Sequence, residues 1–425
     1  MTSRSPGISA RPEPGWGCGC EAAADLISVE RALAIVADLA RPVASHETLP
    51  LGAATGRVLA GAVHAAADAP GFDASAMDGY ALRADGLRGD GPWMLPVGAR
   101  IAAGQTPGPL PQGQAARIFT GAPLPEGADT VVMQEAVTRR DDLIVIVTRP
   151  ATGQNIRRRG QDMVRGIEVL PVGRQLGSRD IAAASAAGAG RLSVRRRLRV
   201  TLLSNGAELA EPGDALDTGQ IWNVNRAMLA AQMAGPGLDL TDGGIICDDR
   251  QAFTDALIAA SRGADLVVTS GGASVGEEDH LPRALAEAGA EIHVRKVAMK
   301  PGKPLTIASI GQALVLGLPG NPVAAFVSWH IFGQAVVAGL SGAEHRPRRL
   351  MARLSEGLSR RPGRREFRPV RWVGTGLDGL PVLKPGPAEF SARVAELARA
   401  DGLVDIPAEI DCLATGDLVE FLPFG

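Results

Sequence analysis

A chain of 425 residues with 45% hydrophobic content exceeds a single compact core and is expected to fold as roughly three domains. Its formal net charge of −2 and its 4% aromatic content, with Tyr80 the sole tyrosine, argue against global steering onto nucleic acid and leave few platforms for stacked bases. No charge-free apolar run is expected to reach the roughly 18 residues of a membrane span, so a cytoplasmic protein with no membrane partner is the expectation.

Residues 1–19 read as a flexible Gly/Pro-rich leader without the apolar core of a secretory signal. Its Cys18 and Cys20 lack the second dithiol or the histidines of a zinc site. Leu26, Val29, Ala32, Leu33 and Val36 recur at spacings of three and four, which predicts a helix from near Asp25 that ends before Pro42. Over about 49–172 the short runs WMLPV, RIFT, TVVMQEAV and LIVIV alternate with Gly/Pro turns, the pattern of a β-rich module. An Ala-rich helix is expected at 181–189, and LRVTLLS then resembles the first buried strand of a new domain. From there strand and helix patterns alternate through NVNRAMLAAQMA, QAFTDALIAASR, DLVVT and DHLPRALAEAG, which predicts a doubly wound parallel sheet. Short β-like runs from about Pro347 (FRPVRWV, PVLKP, GLVDIP, DLVEFL) predict a small terminal β domain.

Three loops follow strands of the alternating region: SNGAEL, TSGGASVGEED and GLPGNP. In a doubly wound sheet all three face one crevice beyond the carboxyl ends of the strands. The glycine loop, with Gly271, Gly272, Ser270 and Ser274, offers backbone amides and hydroxyls to an anion, and Asp279 could hold magnesium. A Gly-rich turn capped by Ser, with Glu277 and Glu278 in the next helix's first turn, explains it equally well. In KVAMKPGKP the prolines stiffen a turn from which Lys300 and Lys303 project as oxyanion ligands or as solvated surface lysines. Asn321 and Pro322 fit a helix N-cap and first helical position. Upstream, Asp73, Asp78 and Thr120 read as turn-capping residues, and Arg157, Arg158, Arg159 with Asp162 as an exposed strip or a bidentate phosphate site. The six histidines lack metal-ligand spacing and no Gly-x-Ser-x-Gly elbow is present, so zinc and serine hydrolysis lack support.

Taken in order, SAMDGYA, RIFTGAPLPEGADTVVMQE, NIRRRGQD, SGGASVGEED, KVAMKPGKP and GLPGNP closely resemble the molybdopterin molybdotransferase family, which includes MoeA and the E domain of gephyrin. The resemblance runs from about Asp25 to Glu420. It implies an α/β multidomain fold, with a doubly wound α/β/α molybdopterin-binding-like domain (20–45 and 197–346), a connecting domain (46–62 and 160–196), an inserted β-rich domain (63–159) and a C-terminal small β domain (347–425). It also implies a homodimer that inserts molybdate into adenylylated molybdopterin and releases AMP, assisted by magnesium. Further partners it implies are the molybdopterin adenylyltransferase and an acceptor molybdoenzyme. By motif matching, Asp78, Thr120, Asp162, Glu208 and Asp279 carry over as catalytic. Arg157, Gly271, Gly272, Ser274, Lys296, Pro319, Pro322 and Ser391 carry over to substrate and nucleotide binding. Lys300, Lys303 and Arg368 carry over to molybdate, and Asp248 with Asp279 to the metal.

The chain departs from the family pattern at four places. Asn205 and Ala207 stand in the usual Thr-Gly-Asp-Glu, Ala324 replaces the serine after Asn-Pro-Val, and Pro369 lies where an arginine is expected, with Arg368 one residue away. Losing a charge-assisted hydrogen bond costs roughly 1.5 to 3 kcal/mol. Two functions are therefore set side by side: the molybdotransferase itself, and a divergent paralogue that binds and delivers the pterin or the finished cofactor with weak catalysis. A receptor-anchoring scaffold, as in gephyrin, has no linker or fused domain to support it.

Overall fold

A computed structural model describes residues 26–246, 249–271, 280–388 and 392–424. The chain divides into two compact units, one built from 1–42, 198–340 and 345–425, the other from 43–197 and 341–344.

The core of the first unit is a six-stranded sheet whose strands are Leu198–Asn205 (β1), Leu238–Ile246 (β2), Leu266–Ser270 (β3), Glu291–Val294 (β4), Thr306–Ile310 (β5) and Ala313–Leu318 (β6). Their order is β2-β1-β3-β6-β5-β4. Strands β2, β1, β3 and β6 are mutually parallel, as the alternating pattern predicts. The expectation of a wholly parallel sheet is corrected at β5, which runs antiparallel to both β6 and β4. Only Gly311 and Gln312 separate β5 from β6, and Gly311 has φ +58, so the chain reverses in a tight hairpin and cannot cross over. Buried Leu203, Phe253, Leu257, Val267, Leu281 and Val315 pack helices onto one face of this sheet.

The helices follow their periodicity closely, with ends set by caps. The first begins at Val29 (Val29–Leu39, α1), later than its apolar spacing predicts, because the Ser28 side chain accepts from Arg31 N at 3.1 Å and Leu26–Ile27 pairs with Lys296–Val297 as a short parallel ladder. Val224–Gln232 (α2) and Arg250–Gly263 (α3) start where Asn223 and Asp249 cap the amides of Arg226 and Ala252. Helix His280–Glu287 (α4) follows the glycine loop.

A continuous helix, Pro322–Ser341 (α5), is long and apolar enough by composition to cross a membrane. This overturns the expectation that no charge-free run reaches such a length. Its chemistry is that of a core helix, since 67% of its most apolar window is buried against the protein. Burial of most of an apolar helix is the pattern of one packed in a protein core.

The C-terminal part of the first unit is a sheet in the order Met299–Lys300, Arg365–Thr375, Pro381–Pro385, Leu350–Leu354, Leu418–Pro423, Gly402–Ile406, and the last strand pairs back onto Arg365–Thr375. Ala352, Leu354, Val370, Leu383, Val404 and Phe421 fill the closed interior. Because Met299 and Lys300 pair with Arg365 and Glu366, the lysine turn is stitched to this small β domain by backbone hydrogen bonds.

The second unit is β-rich, as its Gly/Pro-punctuated runs predict. Its main sheet has the order Thr130–Met133, Gly79–Leu82, Ala115–Ile118, Trp93–Ile101, Leu143–Ile146, Val137–Arg140. A second core of Leu59, Leu176, Ala184, Leu192 and Val194 lies around the helix Ser178–Ala186, which starts earlier than the predicted 181–189 because Asp180 Oδ2 accepts from Gly177 N at 2.8 Å.

Candidate functional site

In the first unit, β1, β3 and β6 end side by side, and described residues at or just beyond their ends line one cavity of about 420 Å³. Asn205, Ser270, Gly271, Gly320 and Pro322 line it, so the strand-end crevice read from the sequence is present. Gly271 is required there. Its φ is +90, and a Cβ built on it would fall 2.1 Å from Asn205 O, so only glycine lets the two loops approach this closely.

Three residues that line the cavity carry buried polar atoms without protein partners among the described residues: Asn205 Oδ1, Asn223 Nδ2 and Asn225 Oδ1, and Asn321 Oδ1 at the start of α5 is a fourth such atom beside the lining residues Gly320 and Pro322. Burying an amide unpaired costs roughly 1–3 kcal/mol each, so such a concentration marks a surface built to meet a polar ligand or ordered water. Asn321 does occupy the N-cap position before Pro322, as its sequence predicts, but its side chain makes no cap hydrogen bond. Asn225 Nδ2 donates to Ser270 Oγ at 2.6 Å and to Gly320 O at 2.8 Å, which ties α2 to two of the loops. Asn225 lies inside the predicted NVNRAMLAAQMA helix and carries no sequence signal of its own.

Lys300 lies on the Met299–Lys300 strand, and its Nζ donates to Ala388 O at 3.4 Å and sits 3.7 Å from Glu366 Oε2. Glu366 is wholly buried and also receives Arg360 Nε at 3.1 Å and Arg368 Nε at 2.7 Å. One carboxylate thus gathers three cations, leaving a net charge of +2 around it. Arg368 is 3% exposed with its guanidinium held on Glu366, whereas the Lys300 side chain keeps 39% exposure. The turn that follows packs against α5, where Gly302, with φ +106, faces the buried, unpartnered Ser328 Oγ. Neither Glu366 nor Ser328 carried a sequence signal, because strand register and helix packing bring them to the lysines. Lys296 lies on the ladder beside Leu26, Lys303 at the far side of the turn, and Pro319 is buried after β6.

Of the departures, Ala324 is buried in α5 and Ala207 is exposed beside Glu208, itself exposed on the cavity rim. Pro369 lines a separate cavity of about 280 Å³ that also meets Arg371, Lys384 and Arg393. Asp248, Gly272, Ser274, Asp279 and Ser391 lie outside the described residues. Among the described residues no three of His, Cys, Asp and Glu converge as a metal-ligating group.

The second unit carries its own cluster. Asp78 Oδ1 accepts both the backbone N–H and the hydroxyl of Thr120, each at 2.8 Å, so the two residues singled out separately in the sequence meet. The amide, then the hydroxyl, of Thr120 and the nearby Arg117 hold the Asp78 carboxyl below its ordinary range, so it is ionised at neutral pH. Arg158 and Arg159 pair with Asp73 and Asp68 at 2.6 Å each. Arg157, on the two-residue strand Ile156–Arg157, is exposed, as is Asp162.

Comparison with known proteins follows this architecture along nearly the whole chain. Residues 27–188 match the MoeA N-terminal region (domain I and II), 202–338 a probable molybdopterin binding domain, and 351–424 the MoeA C-terminal region (domain IV). A molybdopterin molybdenumtransferase of Nostoc sp. is 38% identical over 87% of this chain and 87% of its own length. The chain belongs to the molybdopterin molybdenumtransferase (MoeA) family. A Mycobacterium tuberculosis relative of that name is 37% identical over 92% of this chain and 97% of its own. A crystal structure of a molybdopterin biosynthesis MoeA protein from Pyrococcus horikoshii shares 26% identity with a TM-score of 0.82, covering 94% of this chain and 100% of that one. MoeA membership accounts for the fold of both units.

Proposed function

We propose that this chain performs the final step of molybdenum cofactor synthesis, inserting molybdate into adenylylated molybdopterin and releasing AMP. The observation that carries the proposal is the strand-end cavity lined by buried amides that lack protein partners, in a unit that also holds the Lys300 cation cluster. The amides and the glycine-loop backbone would bind the substrate's heterocycles and phosphates. Lys300 and Lys303 would take the oxyanion, and the charge cluster around Glu366, Arg368 included, would keep that end of the site positive. Glu208 on the rim would accept a proton from attacking water.

The same proposal includes a homodimer in which Asp78, Thr120, Arg157 and Asp162 of one subunit complete the cavity of the other, in a cytoplasmic protein with the domain boundaries drawn from the sequence. Ionised Asp78, held by Thr120, would serve as a hydrogen-bond acceptor. Asp248 and Asp279 would hold magnesium. It would supply charge neutralisation on the phosphoanhydride, a role for which one or two carboxylates together with substrate phosphates suffice.

The test supplies purified protein with adenylylated molybdopterin, magnesium and molybdate, and follows AMP release together with reconstitution of an apo-molybdoenzyme. Both are expected. Neither appearing, where a MoeA relative gives both, would sink the proposal. The delivering-paralogue reading draws on Ala207, Ala324 and Pro369, and tight calorimetric binding of adenylylated substrate without turnover would favour it.

A further inference from the structure

An exposed aromatic residue on the rim of the cavity has no part in the scheme above. Trp222 lines the same cavity as Asn205, Asn223 and Asn225, yet 49% of it is exposed, and its neighbours Ile221 and Leu216 are exposed as well. Three apolar side chains exposed together on one cavity rim form a patch of the kind that meets a ligand or partner. Its position is fixed. The indole Nε1 donates to Asp214 O at 3.1 Å, Trp222 pairs with Ala210 in a short parallel ladder, and Asn223 N donates to Ala210 O at 2.8 Å. Arg226 clamps the same loop by ion pairs to Glu211 and Asp242. With its only polar atom already satisfied, the side chain has just its ring faces to offer, and these belong to a held platform instead of a swinging side chain.

Around that platform the unpaired amides form a complementary set. Asn225 Nδ2 is committed to Ser270 and Gly320, which fixes its amide orientation and leaves Oδ1 as a free acceptor. Asn205 Oδ1 is a second free acceptor, and Asn223 Nδ2 a free donor. Acceptors and a donor beside an aromatic face suit a planar heterocycle that carries an exocyclic amine next to a ring nitrogen. A phosphate or a molybdate would use none of the acceptors.

We propose that Trp222 is the stacking platform for a heteroaromatic ring of the substrate, with Asn205, Asn223 and Asn225 reading its amine and ring-nitrogen edge. The identity of the ring rests on the activity proposed above. Adenine and pterin both carry this edge, and the test separates them.

The experiment measures binding of AMP, a 6-alkyl pterin phosphate and ribose 5-phosphate by calorimetry to the full chain and to its Trp222→Phe and Trp222→Leu variants. Both substitutions keep apolar bulk at a half-exposed position, so folding is preserved and only the π face is removed in the second. Leu is expected to weaken one ring ligand by about ten-fold, while Phe stays within about three-fold and ribose 5-phosphate is unchanged. Whichever ring ligand weakens names the end of the substrate that sits on Trp222. Both ring ligands binding Trp222→Leu as tightly as wild type, or ribose 5-phosphate weakening as much as AMP, would overturn the proposal. Trp222-dependent binding without AMP release from the adenylylated substrate would remove the proposed activity and leave this site standing. AMP release with Trp222-independent binding would do the reverse.

Discussion

At the scale of single residues, the functional assignments separate into atoms that are satisfied within the protein and atoms that are not. Asp78 is a hybrid: its Oδ1 holds Thr120 at 2.8 Å twice over, yet the side chain is exposed and its second oxygen is free to take another donor. A residue whose only task was to cap the turn would lose little chemistry as an amide, because Asn still offers one acceptor to Thr120 N. An acceptor for substrate or water would lose its charge. Asp78→Asn is therefore expected to lower AMP release by about 100-fold or more, within the range for a positioned acid or base, while the melting temperature stays close to wild type. Single-turnover AMP release and a thermal melt read the two quantities separately. Unchanged release would return Asp78 to a structural role. The loss should be flat between about pH 6 and 8, since the Thr120 contacts and Arg117 keep Asp78 ionised throughout that interval.

At the scale of elements, apolar periodicity made the strands and helices legible, and pairing between distant segments stayed hidden. The runs LRVTLLS and DLVVT, and the strand expected before GLPGNP, are β1, β3 and β6, which is enough to place the crevice at their ends. Nothing local in the sequence says that Lys300 shares a register with Glu366, or that Asn225 reaches Ser270 and Gly320, because each contact depends on how elements dock. The same limit explains the reversed β5 and the membrane-like composition of α5: a charge-free helix in a core and one in a bilayer obey the same apolar rule. Glycines were legible as a group but not individually. Gly271 is the one whose Cβ position lies 2.1 Å from Asn205 O at a φ of +90, so Gly271→Ala must strain the backbone and push β1 and β3 apart at their ends. The expected cost is about 1–3 kcal/mol, read as a lowered urea midpoint, together with lost nucleotide binding. Gly311→Ala in the β5–β6 turn has open space around it and serves as the control for φ strain alone. Equal effects from the two would mean that the approach of the loops, as distinct from backbone conformation, contributes nothing.

At the scale of the molecule, the first unit is held together partly by aromatic contacts that join α5 to Phe424, the residue after the last strand. His330 on α5 stacks on Phe326 with ring centroids 6.2 Å apart and meets Phe424 edge-on at 5.5 Å, while Phe326 and Phe424 touch at 4.8 Å. Burial pushes the His330 pKa below its ordinary value, with the charge of His345 adding to it, and His345 is itself pushed down by burial and then by Arg349. A base whose folded pKa is depressed binds fewer protons folded than unfolded, so stability rises with pH through this interval. The contribution is fully present above the unfolded histidine value of about 6.5 and is lost as pH falls below it, until the folded pKa is reached. Depressed carboxylates such as Asp68, Asp73 and Asp378 begin to lose their contribution only where pH falls below the ordinary carboxylate value, so the histidines are the first of these groups to act on acidification from neutral pH. The urea midpoint is thus expected to drop between about pH 7.5 and 5.5, before any carboxylate titrates. His330→Phe keeps the ring stack and removes the proton site, so its midpoint should fall less over the same interval. A wild-type midpoint that is level from about pH 7.5 to 5.5, or an equal slope in His330→Phe, would show that protonation at this junction does not loosen α5 from Phe424.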